Sequence, residues 1–155
     1  MVDAYKFEIV DVPPEAAVFV GATCGHSEIG ETLMKVLPQA LDHAIESGVA
    51  PKGPPFARYL CWRPTDCEFE GGFTLPHPIQ SGPTVTSGVL GGCRAAHTVH
   101  VGHYSGLREA HGAAMEWIEA QGLSVGGAPW EKYVTDPEEV PNADEWRTEI
   151  FWPIA

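Results

Sequence analysis

Apolar and polar positions along the chain alternate with a strand period, shift to a helix period, return to a strand period, and then go through the same succession again. Residues 5–10 (Tyr-Lys-Phe-Glu-Ile-Val) alternate in part and predict a first strand, stopped at Pro13-Pro14. Residues 16–21 predict a short apolar strand. Ile29, Leu33, Val36, Leu37, Ala40, Leu41 and Ala44 then fall at helical spacing, with Ser27 placed to cap the helix, Glu28 and Glu31 in its first turn and Gly48 as its stop. Pro38 sits inside this helix and is expected to kink or split it. Strands over 56–62 and 67–75 follow, turned by Pro64-Thr65-Asp66, and a Pro- and Gly-rich linker comes next. Residues 84–90 predict a weak strand, Gly91-Gly92 a turn and 94–101 a stronger strand. Ser105 is the expected cap of a second helix carrying Leu107, Ala110, Ala114, Trp117 and Ile118, ended by Gly122. Residues 130–135 and 145–152 make the last strands, joined by an acidic, proline-punctuated loop.

The succession is written in the residues themselves. Gly48-Val49 followed by Gly53, Pro55-Phe56, Arg58-Tyr59-Leu60 matches Gly122-Leu123 followed by Gly127, Pro129-Trp130, Lys132-Tyr133-Val134, at an offset of 74 (122 − 48). Ser27-Glu28-Ile29 matches Ser105-Gly106-Leu107 at 78 (105 − 27), so the first helix is expected to be four residues longer, about one turn. Glu70 matches Glu149 at 79 (149 − 70). Two copies are too few for a solenoid. The expected architecture is one α+β domain over 1–155, a duplicated strand–helix–strand–strand module with pseudo-twofold symmetry and a central ligand cleft. Repeat one covers about 1–76, the linker 77–83 and repeat two about 84–155. Glu70 and Glu149 fall in equivalent places.

Glu149 draws attention because β-branched and aromatic residues surround it in the stretch Glu145-Trp146-Arg147-Thr148-Glu149-Ile150-Phe151-Trp152-Pro153. Alternation puts Glu149, Phe151 and Pro153 on one face and Ile150, Trp152 and Ile154 on the other, the second toward the helix. A carboxylate among aromatic rings is desolvated, so its pKa is expected to rise unless a cation is bound.

Bulk composition narrows the function. A formal charge of -12 argues against nucleic acid and anionic membrane as partners and is compatible with cationic ones. The N-terminal stretch carries charge and lacks the apolar core of a signal peptide, and no apolar run is long enough to span a bilayer, so a cytoplasmic location is expected. Cys24, Cys61, Cys67 and Cys93 show no CxxC and are expected to be reduced. His97 and His103 share a strand parity while His100 faces oppositely, without a fourth ligand, so no metal site and no cofactor are expected.

The run His97-Thr98-Val99-His100-Val101-Gly102-His103-Tyr104-Ser105-Gly106-Leu107 resembles the GyrI-like small-molecule-binding domain. So do Pro129-Trp130-Glu131, Tyr133, Thr135-Asp136-Pro137, residues 146–154 and, in the first half, Gly53-Pro54-Pro55-Phe56-Ala57-Arg58-Tyr59. That domain forms the effector-binding part of multidrug-responsive MerR-type and AraC-type activators. Family members often carry proline where His103 stands, and no helix-turn-helix is expected within these residues. The resemblance implies a duplicated fold with a cleft between the halves and a glutamate in an aromatic pocket, corresponding to Glu149, that pairs with cationic ligands. Tyr133, Phe151, Tyr104, Phe56, Tyr59, Trp130 and Trp152 are the ring candidates, Trp152 the least favoured of them, with Glu70 and His100 as further polar candidates.

The expected function is a stand-alone binding protein for small hydrophobic, preferably cationic compounds, sequestering or sensing a drug or toxin. The alternative is hydrolysis of cyclopropane-containing genotoxins, which the resemblance implies for some stand-alone members. In that alternative Glu149 is general acid or base and Tyr133 stabilises developing charge. A weaker alternative is a protein-interaction module of the gyrase-inhibitor type.

Overall fold

In the computed structural model, which describes residues 5–155, the chain is α+β. In chain order its elements are β1 (Glu8–Val12), β2 (Glu15–Gly25), α1 (Ile29–Glu46), β3 (Pro55–Trp62), β4 (Asp66–Thr74), β5 (Thr86–Leu90), β6 (Cys93–Val101), α2 (Leu107–Ala120), β7 (Trp130–Tyr133) and β8 (Arg147–Pro153). The chain forms two compact units. One is Pro13–Gly92; the other joins Cys93–Ala155 to the segment ending at Val12. Among the described residues no helix is long and apolar enough to cross a membrane.

In Pro13–Gly92 the strand order is β3-β4-β2-β5, paired antiparallel. Val18 and Val20 of β2 pack with Val36, Ala40 and Ala44 of α1, closed by Val49, Leu75 and Val85. Each fully buried Val or Leu of this kind contributes roughly 1.5–3 kcal/mol. The ladder to β4 runs from Ala17↔Thr74 to Gly25↔Asp66, so β2 extends four residues beyond the strand expected at 16–21. Backbone pairing holds that extension where hydrophobicity alone gives no signal. The adjacent Gly71 and Gly72 reflect close packing. A Cβ on Gly71 would stand 2.9 Å from Leu33 and Val36 side chains, and one on Gly72 would run into the Val18 carbonyl of β2.

Helix α1 continues through Pro38 as a single element rather than splitting. Pro38 and Met34 lie on its exposed side, so the Met34 carbonyl that loses its partner faces water. Both helices begin differently from the expected serine caps. A 3-10 turn, His26–Glu28, precedes α1, and Glu28 reaches back so that Oε1 accepts from Gly25 N–H at 3.0 Å. Ser27 lies inside that turn. The turn Tyr104–Gly106 precedes α2, where His103 Nδ1 accepts from Ser105 N–H at 3.0 Å. His103 thus does the capping expected of Ser105. Gly48 (φ 80) and Gly122 (φ 72) end the helices in the left-handed conformation glycine tolerates.

In the other unit the order is β1-β6-β8-β7, again antiparallel. Leu107 and Ala110 of α2 pack on Ile150 of β8, while Ile118 packs with Ala96 and Ile154 and is flanked by Trp152. Ile150 and Trp152 therefore face the helix, as their parity predicts. Everything opposite Thr148 or Ile150 in register shares that face, and everything opposite Glu149 or Phe151 lies on the other.

Candidate functional site

On the face away from α2, Glu149 lies beside basic groups. His97 Nε2 donates to its Oε2 at 2.8 Å, and Lys132 stands opposite it in the β7–β8 register. The other His97 nitrogen faces Glu8 at 3.5 Å. The His97 ring is 4.8 Å from Phe151, on which Trp130 stacks at 5.0 Å. The expected rise of the Glu149 pKa is overturned. The hydrogen bond from His97 outweighs partial burial and, with the charges of His97 and Lys132, lowers it. The same hydrogen bond raises His97 against its own desolvation.

The signs give a pH window. The raised His97 stabilises fully below its ordinary value of 6.5 and loses that contribution as pH rises through its folded pKa. The lowered Glu149 stabilises above its ordinary 4.5 and loses its share as pH falls through its folded value. Urea unfolding of His97→Gln beside the parent is expected to show a difference greatest near pH 5–6.5 that shrinks by pH 8. For so partly exposed a pair it is no more than about 1 kcal/mol. A difference that stays flat from pH 5 to 8 contradicts the assignment.

On the α2 face the β7–β8 register places Glu131 opposite Ile150 and Tyr133 opposite Thr148. Glu131 is 2% exposed. Its Oε2 is 2.6 Å from His111 Nε2 of α2, and its Oε1 accepts from the Tyr133 hydroxyl at 2.8 Å. Trp152 Nε1 donates to His111 Nδ1 at 2.9 Å. An indole N–H only donates, so His111 Nδ1 is unprotonated and the ring's proton is on Nε2, pointing at Glu131. His111 and Tyr133 both donate to the carboxylate, and charge-assisted bonds of this length offset the cost of burial.

Aromatic rings gather around this acid. Tyr104 lies edge-on to Tyr133 at 5.6 Å and 4.8 Å from Trp146, whose indole donates to Val140 O. Burial, with the charges of Asp136 and Glu131, pushes the Tyr104 hydroxyl up. The hydroxyls of Thr98 and Thr148, opposite Ile150 and Tyr133 in register, are buried without a hydrogen-bond partner among the described residues.

The structure thus divides the candidates named from sequence. Tyr104 and Tyr133 come together, and they meet Glu131, which sequence reasoning passed over. Glu149, Phe151 and Trp130 form a group on the opposite face. His100 is buried, its Nε2 donating to His103 O at 2.9 Å and its Nδ1 accepting from the Tyr5 hydroxyl at 2.8 Å. In Pro13–Gly92, Phe56 is fully buried, Tyr59 packs against Trp62 and Phe69, and Glu70 Oε1 accepts from Arg58 at 2.9 Å. The overlooked acid had a signal. Residues two apart on a strand share a face, so naming Tyr133 should have drawn in Glu131.

No curated protein matches the chain. Among solved structures, the C-terminal domain of EcmrR is similar over 97% of this chain and 98% of that one (TM-score 0.84, 19% identity). In EcmrR bound to DNA, the chain spans 57% of the longer protein. A hydrolase from Listeria innocua matches over 97% of this chain and 92% of that one (TM-score 0.69, 13% identity). SAV2435 bound to tetraphenylphosphonium matches over 97% and 94% (TM-score 0.67, 9% identity). At these identities the likenesses establish a shared fold. The family model of the GyrI-like small molecule binding domain matches residues 5–155, so the chain belongs to the GyrI-like family of small-molecule-binding domains.

Proposed function

We propose that this domain binds a small hydrophobic cation on the α2 face of β7–β8, with Glu131 as the charge and Tyr104, Tyr133, Trp146 and Trp152 as the aromatic surround. The observation that carries the reading is the buried Glu131 carboxylate that accepts from His111 and Tyr133 beside the Tyr104 ring. A carboxylate attracts a cation by roughly 4 kcal/mol at about 4 Å and an effective dielectric near 20. Each ring facing that cation adds on the order of 0.5–2 kcal/mol. In this reading Glu149, bonded to His97, serves the opposite sheet face and not the ligand. The tetraphenylphosphonium seen on SAV2435 supplies a suitable probe.

The duplicated, pseudo-twofold architecture belongs to the same proposal. Helices of 18 and 14 residues, similar 3-10 entries, left-handed Gly48 and Gly122, and the cross-strand pairs Arg58↔Glu70 and Lys132↔Glu149 all support it. The position equivalent to Glu131 in the first copy is Ala57, so the acid is present once. A cytoplasmic role in sequestering or sensing fits the acidic charge.

A thermal-shift panel of lipophilic cations tests the binding reading. Upward shifts with several cations are expected, and no shift with any of them refutes it. A second reading, hydrolysis, is favoured by the convergence of Tyr133 O–H and His111 N–H on one carboxylate, an array able to move protons. Incubation with a cyclopropane-bearing alkylator separates the two. A ring-opened product carrying the elements of water indicates the enzyme, and unchanged compound leaves binding alone.

A further inference from the structure

Cys24 of β2 and Cys67 of β4 stand directly opposite each other in the antiparallel register. Such pairs share a face with Cα atoms about 4.5–5.5 Å apart, inside the roughly 4.4–6.8 Å span a disulfide requires. Cys67 is buried and Cys24 is partly open to solvent. The other thiols are separate. Cys61, opposite Glu68, is on the reverse face and its Sγ accepts from Arg63 at 3.3 Å; Cys93 belongs to the other unit, opposite Val12.

We infer that Cys24 and Cys67 form a dithiol which a hydroperoxide converts to a cross-strand disulfide and a thiol reductant reopens. The solvent-facing Cys24, as thiolate, attacks the peroxide's outer oxygen. The O–O bond breaks, sulfenic acid forms and the alcohol (water, for hydrogen peroxide) leaves with the thiol proton. Cys67 sulfur then attacks Cys24 Sγ, and the displaced hydroxide departs as water with the Cys67 proton. Two thiols and one peroxide thus give one disulfide, one alcohol and one water. Burial pushes the Cys67 thiol up to about 11, so it stays protonated and slow toward peroxide itself, and it reacts second only because register holds it against Cys24 Sγ, giving up its proton as it attacks. The link would join β2 to β4 just before the turn His26–Glu28 that starts α1. There the His26 ring stacks at 4.2 Å on Trp62, itself opposite Cys67 in the β3–β4 register.

The test uses the full chain carrying Cys61→Ser and Cys93→Ser, so that only the pair remains. Folded protein is treated with a small excess of hydrogen peroxide, quenched, unfolded, and its thiols counted and intact mass measured. The expected result is loss of both thiols, a mass lower by two hydrogens, a monomer on non-reducing gels, and full recovery with dithiothreitol. Persistence of both thiols, a linked dimer, or added oxygen without a disulfide overturns the inference. If the double variant does not fold, peptide mapping of oxidised wild type decides: a Cys24–Cys67 link supports it, and any other pairing or none refutes it.

Discussion

Glu131→Gln is expected to weaken tetraphenylphosphonium binding about 100-fold while leaving the fold intact. The substitution removes a unit charge but little volume. The amide oxygen can accept from His111 Nε2, whose proton position is set by Trp152, and the amide N–H can donate to the Tyr133 hydroxyl oxygen. Both half-buried partners keep a hydrogen bond to the amide, so the stability change stays small. What disappears is the charge attraction, of which an amide dipole recovers only part. A net loss of about 2–3 kcal/mol corresponds to roughly 100-fold in Kd. Titration followed by tryptophan fluorescence reads this directly, with Glu149→Gln as the comparison, expected to change Kd less than about threefold. If instead Glu149→Gln abolishes binding and Glu131→Gln does not, the binding acid lies on the opposite face.

That contrast also marks what the sequence could reveal. Helical spacing from Ile29 to Ala44 and from Leu107 to Ile118 located both helices, and the offsets 78 and 74 foretold their difference, 18 residues against 14. Parity sent Ile150 and Trp152 toward α2 correctly, because a two-residue period is a local property. The surroundings of Glu149 were not local. His97 is 52 residues away in the chain and reaches Glu149 only through the β6–β8 register. That partner turned an expected rise in pKa into a fall. Glu131 was hidden differently, since the 74-residue offset matches it with Ala57, at a position that looked merely variable. His103 was likewise unreadable as a cap, because imidazole rarely does what its Nδ1 does for Ser105 N–H.

Gly72→Ala is expected to cost about 3 kcal/mol or more, and most of the chain should be lost from the soluble folded fraction. Gly72 pairs with Phe19 on β2 and with Phe56 on β3, so it is flanked by backbone on both sides. A methyl group there would run into the Val18 carbonyl and stand 2.8 Å from Phe19 Cα, and backbone cannot rotate away as a side-chain tip can. Gly21→Ala is the matched control, because it lies in the same β2–β4 ladder and a Cβ at Gly21 meets nothing within 4 Å. Chemical denaturation of both variants checks the pair. Similar midpoints for the two would mean that β2 and β4 do not approach as closely as described.

Charge recognition by a buried acid is tested most directly by two ligands of one shape and opposite charge. Tetraphenylphosphonium and tetraphenylborate present nearly the same four rings, so shape and ring stacking cancel between them. Titrating both into the wild-type protein at about 0.15 M salt, where surface charge is screened beyond about 8 Å, isolates the contribution of the site. The phosphonium should bind at least about 100-fold more tightly than the borate, and Glu131→Gln should erase most of that preference. Equal affinity for the two ions, or a preference that survives Glu131→Gln unchanged, would contradict recognition of a cation by Glu131.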